Sequence, residues 1–338
     1  MKLYGGIDLH SNNSVVVVLD EEDRVVYEKR VANDLGYVLR ELEPYRARLE
    51  GVVVESTFNW YWLVDGLMEA GYRVHLANTA AIQQYAGLKY TDDRSDARWL
   101  GHMLRLSLLP EGYIYPKEDR AVRDLLRKRG QLVCQKVTHI LSMENLFSRN
   151  RGARLSANAI KQLTEEEVEG LLPNADLALA VKSNLAVYRC LVGEIARLER
   201  AVKQRMKLKE GFRQLLTVDG IGWILGMTIM LETGDITRFK SVGQFASYCR
   251  CVASQKLSNG KKKGTGHTKN GNKHLSWAFV EAANFAIRYN PKIKRFYQRK
   301  KEQTNTLVAI KAVAHKLARA CYYVMRDQVA FQVEKAFG

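Results

Sequence analysis

The sequence predicts an α/β domain at the amino end, a helical middle region and a mainly helical carboxyl-terminal domain. Up to about residue 110, short valine-rich runs alternate with segments of helical periodicity. Beyond residue 118, apolar residues recur at steps of three and four, as is typical of helices. A chain of 338 residues also exceeds the usual size of one domain. We therefore expect domains at residues 1–110, 111–209 and 210–338.

Five segments of the first domain have the composition of β-strands. They are residues 3–9, 14–19, 24–31, 51–54 and 73–76. The first three are separated by the turn-prone pieces HSNN and DEED, which predicts an antiparallel meander. Helical stretches at 34–49, at 58–70 and from about 92 surround the last two strands. This order is that of the RNase H-like α/β fold, with a mixed sheet covered on both faces.

The rest of the chain is predicted to be mainly helical. Two long stretches, 118–147 and 180–208, fit either an antiparallel helix pair or a dimerising coiled coil. In the second stretch the recurring apolar residues are Val181, Leu185, Tyr188, Val192 and Ile195. Further helices are expected at about 272–289 and 304–326.

The positive charge of the chain is concentrated near its carboxyl end. The whole sequence has 53 Lys and Arg residues against 36 Asp and Glu, a net charge of +17. Residues 1–110 hold 12 basic and 16 acidic residues, a net of −4. Residues 250–301 hold 14 basic residues and one acid, Glu281. Such a local excess of cations is typical of proteins that bind nucleic acid or another polyanion.

The sequence carries no pattern of a disulfide framework, a zinc site or a membrane segment. Its five cysteines form no C-x-x-C pair. The start MKLYGGIDLHS lacks the apolar core of a signal peptide. The longest apolar run, 221–231, is about half of the ~20 residues that span a bilayer. We expect a protein of the reducing cytoplasm that has no membrane partner.

Four acids stand at the ends of predicted elements. Asp8 closes the first strand and Glu55 closes the fourth, so parallel pairing of these strands would bring their carboxylates side by side. Asp93 and Asp96 are three residues apart and share one helical face, while Asp92 is positioned to be the N-cap. Converging carboxylates suit phosphodiester chemistry with Mg²⁺ or Mn²⁺, because these ions choose oxygen ligands.

Each acid also has an ordinary structural interpretation. Asp8 fits a turn or cap, and Glu55 fits the start of a loop. Aspartates in the first turn of a helix are favoured by the helix dipole. The combination of all four acids, in this order and at these element ends, favours the metal site.

Two sets of motifs carry a family resemblance. The first domain contains GIDLHSNNSVV, VVVES and KYTDDRSDARWLGHMLR, and the last contains LLTVDGIGWILGMTIMLETGDITRFKSVGQFASYCR and SNGKKKGTGHTKNGNKHLSWAFVEAA. These resemble the RuvC-like half and the transposase domain of the DEDD transposases of the insertion-sequence 110 family, relatives of the pilin-gene invertases. Together they cover most of the chain outside the middle helices. The resemblance implies that Asp8, Glu55, Asp93 and Asp96 bind the metal.

The resemblance also implies a serine nucleophile in the last domain. In the family this serine usually stands in a Ser-Gly pair, eight residues past the glycine of a Gly-Leu-x-Pro motif. Here RCVA takes the place of that motif and Ser258-Asn259-Gly260 that of the pair. Placing Arg250 at the glycine position makes Ser258 the nucleophile, with Ser254 as the alternative. Without the resemblance, Ser258 would be interpreted as a turn residue.

The loop GKKKGTGHTKNGNKH at 260–274 interleaves lysines with glycines, which lets cations and backbone N–H groups approach phosphates. A solvated lysine loop is the ordinary interpretation, but the local net charge favours a nucleic-acid contact. The candidate nucleic-acid-binding residues are Lys261, Lys262, Lys263, His267, Lys269, Asn272 and Lys273.

The sequence therefore predicts a site-specific DNA transposase in which Ser258 attacks a phosphodiester and forms a covalent phosphoserine. The resemblance implies donor and target DNA as substrates, a structured noncoding guide RNA of the bridge type and a bacterial or archaeal host. Recombination between two duplexes implies a homodimer or homotetramer, with residues 180–208 as the expected interface. An acidic first domain and a basic last domain further predict a composite active site.

Two other functions stay open at this point. A metal-dependent nuclease, such as a junction resolvase, would use water in place of the serine. A non-catalytic DNA- or RNA-binding protein would carry the acids without using them. A protein–DNA adduct that depends on Ser258 distinguishes the transposase from the first, and loss of recombination on Asp8→Asn distinguishes it from the second.

Overall fold

The structure is a computed structural model that describes residues 1–82, 92–206, 211–252, 256–264 and 270–338. Contacts within the chain divide it into two compact units, Met1–Lys117 and Glu118–Gly338. Among the described residues, no helix is both long enough and apolar enough to cross a membrane.

The first unit is built on one mixed sheet. Its strands are β1 (Leu3–Leu9), β2 (Asn13–Leu19), β3 (Val25–Ala32), β4 (Leu49–Glu55) and β5 (Val74–Ala77). Their order across the sheet is β3-β2-β1-β4-β5. The first three strands pair antiparallel, and β4 is parallel to both β1 and β5. The predicted meander and RNase H-like mixed sheet are thereby confirmed.

Helices cover both faces of this sheet. They are α1 (Leu35–Leu42), α2 (Tyr61–Glu69) and α3 (Asp93–Arg105), with 3₁₀ turns at Glu43–Arg48 and Thr79–Ala81. The residues 34–49 do not form one α-helix as predicted, because Pro44 has no N–H to continue it and the chain tightens into a 3₁₀ turn. α1 and α2 pack on one face of the sheet and α3 on the other. Double coverage explains why β2 is a continuous run of buried valines.

The approach of α3 to β1 depends on Gly6. A Cβ at this position would lie 2.0 Å from the carbonyl oxygen of Ala97 and 2.9 Å from the backbone nitrogen of Gly101. Only a residue without a side chain permits such close packing of a helix on a strand. The amino end of α3 therefore lies beside the carboxyl end of β1.

The second unit is mainly helical. Its elements are α4 (Lys117–Arg151), α5 (Ala157–Gln162), α6 (Glu165–Leu171), α7 (Ala175–Met206), α8 (Phe212–Leu215), α9 (Trp223–Thr233), α10 (Val242–Tyr248), β6 (Lys256–Ser258), β7 (Lys261–Gly264), α11 (Lys273–Tyr289), α12 (Pro291–Gln303), α13 (Thr306–Asp327) and α14 (Val333–Phe337).

The two long middle helices, α4 and α7, form an antiparallel pair within the chain. Arg129 Nη2 lies 2.7 Å from Glu199 Oε1, and His139 Nδ1 lies 2.9 Å from Asn184 Oδ1. Because the paired residue numbers increase on α4 and decrease on α7, the two helices run in opposite directions. Val181, from the predicted apolar stripe, is buried in the cluster that α4 and α7 share with α5 and α6. Leu185 and Ile195 of the stripe are also buried, whereas Val192 is 40% exposed, so most of the stripe packs within the chain.

The carboxyl-terminal core forms around α11 and α13, with α9, α10 and α12 packed against them. α12 has no counterpart among the predicted elements. It contains six basic residues, and only Ile293 in it is buried, so it lacks the apolar periodicity that marks a helix. The helix begins at the Asn290-Pro291 pair, where Asn290 Oδ1 accepts from the N–H of Lys292 at 2.9 Å.

Candidate active site

The carboxylates of Asp8 and Glu55 lie at the carboxyl ends of two adjacent parallel strands. β1 and β4 are in register with Ile7 opposite Val54, so the next residue of each strand carries its acid to the same edge of the sheet. Asp8 is only 3% exposed. The edge lies where the strand direction changes from antiparallel to parallel, which is where open α/β sheets bind ligands.

The third acid of this edge comes from α3. Asp92 is the N-cap as predicted, because its Oδ1 accepts from the N–H of Ser95 at 2.8 Å. The helix then presents Asp96 beside the two strand-end acids. The three carboxylates line a cavity of about 290 Å³. The lining residues are Asp8, Glu55, Thr79, Ile82, Asp96, Trp99 and Leu100.

The acids of this cavity repel one another. Burial, a hydrogen bond with Asp8 and the charges of Asp8 and Asp96 together raise the pKa of Glu55 from 4.5 to about 8. One oxygen of Asp8, Oδ2, is buried and accepts no well-aligned hydrogen bond among the described residues, although His10 Nε2 lies 3.1 Å from it. A divalent cation would relieve both conditions, since it would neutralise the carboxylates and take Asp8 Oδ2 as a ligand. The residues present therefore fit a metal ion.

Asp93 lies on the other side of Asp8, next to His10. His10 Nε2 is 3.1 Å from Asp8 Oδ2 and 3.2 Å from Asp93 Oδ2. Each of the three residues offers a ligand atom within 4.8 Å of the others. Arg30, on β3, donates to Asp93 Oδ2 at 2.5 Å and holds the pKa of that carboxyl below its usual value. Asp8 thus belongs to two groups of candidate ligands. Glu55 and Asp96 are in one group, and His10 and Asp93 are in the other.

His10, Arg30 and Trp99 are also part of the site and were not among the predicted residues. His10 could have been found, because it follows Asp8 by two residues at the end of β1. Arg30 could not, since it reaches Asp93 only after β3 has folded against the sheet beside β2.

In the second unit, Ser258 occupies a β-hairpin where the sequence had suggested a loop. β6 and β7 pair antiparallel, with Ser258 opposite Lys261. The connecting residues Asn259 and Gly260 have φ of 49° and 70°, as a type I′ turn requires. An Asn-Gly pair is the strongest short-range signal for such a turn, and it was available in the sequence. Ser258 is the last residue before the turn and is exposed.

The segment that follows the hairpin is tied back to the residues that precede it. Arg250 Nη2 and Nε donate to the carbonyl oxygen of Gly271 at 2.8 and 3.1 Å. The N–H of Asn272 donates to the carbonyl oxygen of Tyr248 at 2.6 Å. Arg250 has a φ of 55°, a conformation that favours glycine. This is the position at which the family resemblance places its glycine, and it supports the register that ends on Ser258.

Asn272, the residue before α11, contacts a buried ion pair. Its Nδ2 donates to Glu232 Oε2 at 2.7 Å, and its Oδ1 accepts from the N–H groups that begin α11. Glu232 is 3% exposed and also accepts from Arg127 Nε and Nη2 at 2.6 and 2.7 Å. Burial raises the pKa of Glu232, but the hydrogen bonds and charge of Arg127, together with the hydrogen bond from Asn272, bring it below its usual value. The Asn272 side chain is thus fully engaged inside the protein.

The remaining predicted nucleic-acid contacts are only partly described. Lys261, Lys263 and Lys273 are exposed. The backbone of Lys262 lies in β7. His267, Lys269 and the alternative nucleophile Ser254 lie outside the described residues.

A mixed sheet in this strand order, with acids gathered at the ends of β1 and β4, defines an RNase H-like enzyme that acts on nucleic acid. A family model described as "Transposase IS116/IS110/IS902 family" matches residues 212–298. A second model, of DEDD transposases of the IS110 type, matches residues 5–149. The chain belongs to the IS110 family of DEDD transposases, which recombine DNA. Its DNA substrates and its dependence on a divalent metal follow from that membership.

Several curated transposases are similar in sequence to this chain over most of its length. A probable family 20 transposase of Pseudomonas aeruginosa is 24% identical over 84% of this chain and 83% of its own length. The transposase for insertion sequence element IS1111A of Coxiella burnetii is 22% identical over 84% and 78%. The transposase for insertion sequence element IS1328 of Yersinia enterocolitica is 23% identical over 96% and 97%. The similarity thus extends over both units.

Proposed function

We propose that this transposase cuts and rejoins DNA through a covalent phosphoserine at Ser258, with a divalent metal, Mg²⁺ in the first instance, held by Asp8, Glu55, Asp93 and Asp96. The observation that carries the metal site is the convergence of Asp8, Glu55 and Asp96 on one cavity at the ends of β1, β4 and the start of α3. Carboxylates that repel one another in the absence of a cation support it.

In the proposed reaction the hydroxyl of Ser258 attacks the phosphorus of a DNA phosphodiester. The bond from Ser258 Oγ to phosphorus forms, the bond to the 3′ oxygen breaks, and a 3′-hydroxyl leaves with a proton. Asp8, Glu55, Asp93 and Asp96 would hold a divalent ion that, when bound, would stabilise the charge developing on the phosphate oxygens. Attack by a 3′-hydroxyl of the new partner reverses the steps and releases the serine. The acids and Ser258 therefore have to act on the same phosphodiester.

His10 and Arg30 are proposed to keep Asp93 ionised and in place. The guanidinium of Arg30 and the imidazole of His10 approach the same oxygen of Asp93, which favours its charged form. An ionised carboxylate is the form that binds a cation. When a metal is bound, Asp93 is free to exchange these partners for it at little cost, because all three side chains are partly exposed.

The test of the serine mechanism is a protein–DNA adduct. End-labelled donor DNA is incubated with the protein, its RNA and Mg²⁺, and the products are separated on a denaturing gel. Wild type should give a labelled protein band, which Ser258→Ala abolishes and which Ser183→Ala, a change of an exposed serine on α7, retains. Cleavage by Ser258→Ala at the wild-type rate, with no adduct in wild type, would establish a water-using nuclease instead.

Guidance by a structured noncoding RNA and assembly as a homodimer or homotetramer belong to the same proposal. Two exposed apolar residues one turn apart on α4, Val137 and Leu141, support a self-association surface. Sedimentation of wild type and of Val137→Lys, with and without the RNA transcribed from the flanking element, tests it. A monomer in all four samples would refute the assembly, and equal recombination without RNA would refute the guide.

A further inference from the structure

A second cationic site lies at the carboxyl end of the chain, outside the residues that the family models match. It is a cavity of about 640 Å³ between α13 and the segment 329–336, here called the C-terminal basic cavity. Its size falls within the range of sites that hold small organic ligands, about 300–1,000 Å³.

One face of α13 supplies the side chains of this cavity. Lys316, Arg319, Tyr323 and Arg326 follow at steps of three, four and three, so they lie along one side of the helix. The opposite side is buried in the core of the second unit, as Leu317 shows. The cavity is thus lined by a helix whose opposite side packs in the core.

The lining of the cavity carries uncompensated positive charge. Four cations, Lys316, Arg319, Arg326 and Lys335, line it together with one acid, Asp327. Asp327 is neutralised by Arg326, whose Nε lies 2.6 Å from its Oδ1. Arg319 and Lys335 are exposed, and neither has an ion-pair partner within the described parts of the chain. The charge of the lining therefore favours an anionic ligand.

Lys316 shows the effect of this crowding. Its Nζ donates to the carbonyl oxygen of Ala336 at 2.6 Å and lies 5.1 and 5.5 Å from the ring centroids of Phe296 and Phe337. Burial, and then the charges of Arg319 and of Arg299 on α12, lower its pKa. A bound phosphate would offset that repulsion.

An exposed aromatic ring lies beside these cations. Tyr323 is 40% exposed, and the guanidinium of Arg326 lies 5.0 Å from its ring centroid. Arginine planes and tyrosine rings are the surfaces on which unpaired bases stack. Cations alone would suit a free phosphate or a duplex backbone, whereas an exposed aromatic ring beside them also suits a base that is not paired.

We propose that the C-terminal basic cavity binds a single-stranded segment of nucleic acid, with a phosphate on Arg319, Lys316 and Lys335 and a base against Tyr323. A strand that is opened during DNA exchange and an unpaired stretch of RNA both have this chemistry. The site is separate in sequence from the acids and from Ser258, so the proposal does not depend on the serine mechanism.

The test uses the full-length protein and short fluorescent oligonucleotides of one sequence, as single-stranded DNA, single-stranded RNA and duplex DNA. Tyr323→Leu should weaken single-strand binding about tenfold, since stacking of one base contributes about 1–3 kcal/mol. Arg319→Gln should weaken it several-fold and make the dependence of log K on log salt shallower by about 0.7. Tyr289→Leu, at an exposed tyrosine of α11, and Arg200→Gln, on α7, are the matched controls.

Other nucleic-acid contacts of the protein could mask these effects, so the site is also located directly. An oligonucleotide with a photoreactive base is cross-linked, and the modified peptide is identified by mass spectrometry. A cross-link within 316–336 that disappears in Tyr323→Leu supports the proposal, and preference for DNA or for RNA identifies the strand. The proposal is overturned if the cross-link falls elsewhere, if Tyr323→Leu binds like wild type, if duplex loses as much affinity as single strands, or if the control variants lose as much as the cavity variants.

Discussion

Replacing Glu55 by Gln should stabilise the metal-free protein at high pH. The folded-state pKa of Glu55 is raised from 4.5 to about 8, whereas the unfolded chain ionises at the ordinary value. As pH rises above 4.5, the unfolded state loses this proton and the folded state keeps it, so stability falls until about pH 8 and then levels off. Below pH 4.5 both states are protonated and the penalty is absent. Gln carries no charge and is free of the penalty at every pH.

The size of the effect follows from the raised pKa. Moving a carboxyl from 4.5 to about 8 corresponds to about 5 kcal/mol at most, at 1.36 kcal/mol for each pH unit. Glu55 is only half-buried, so water screens part of this interaction, and we expect about 2–3 kcal/mol. Addition of Mg²⁺ should reverse the trend for wild type, because an ion that binds only the folded state stabilises it.

The assay has to report on the first unit alone, since a chain of two units does not unfold in a single step. Pulse-labelling hydrogen exchange of β1 and β4 along a urea series, in EDTA, gives the local free energy of unfolding at each pH. Glu21→Gln, at an exposed acid in the turn between β2 and β3, is the control. If wild type and Glu55→Gln change in parallel between pH 4.5 and 8, then Glu55 is not held neutral and the argument for a cation site loses its electrostatic basis.

Three further predictions concern packing and stability. Gly6→Ala places a Cβ 2.0 Å from the Ala97 carbonyl oxygen. It should therefore lower the free energy of urea unfolding of the first unit by about 1–3 kcal/mol and remove the stabilisation by Mg²⁺. Wild-type behaviour would show that α3 can shift freely. Glu232→Ala leaves the Arg127 guanidinium without its carboxylate, and because Arg127 is partly exposed we expect a loss of about 2 kcal/mol in denaturant unfolding of the second unit, partly restored in Glu232→Gln. Asp92→Ala removes the N-cap of α3 and should cost about 1 kcal/mol by hydrogen exchange of its first turn, where unchanged protection would argue against the cap.

Local patterns in the sequence were sufficient for most elements of the first unit. Alternation and turn residues located β1, β2 and β3 to within two residues, because strand and turn chemistry depends on near neighbours. The cap at Asp92 was predictable for the same reason. Local patterns failed at residue 43, where Pro44 converts the predicted helix to a 3₁₀ turn, and across α12, whose charge conceals its helical character.

The candidate metal site was only partly accessible to such reasoning. That Asp8 and Glu55 close strands can be read from the chain, but their adjacency required the parallel pairing of β1 with β4. Asp96 joins them because Gly6 lets α3 pack directly on β1. Arg30 reaches Asp93 across 63 residues of chain, a contact that no spacing encodes.

The sequence alone determined the residue types, the strand ends and the Asn-Gly turn after Ser258, because these depend on covalent geometry and short-range hydrogen bonds. Tertiary structure decided which carboxylates share a cavity, which acid is held by Arg30 instead, and which cations of α13 remain uncompensated. Those outcomes depend on burial and on charges brought together from distant parts of the chain, and both exist only once the sheet and the helices have packed.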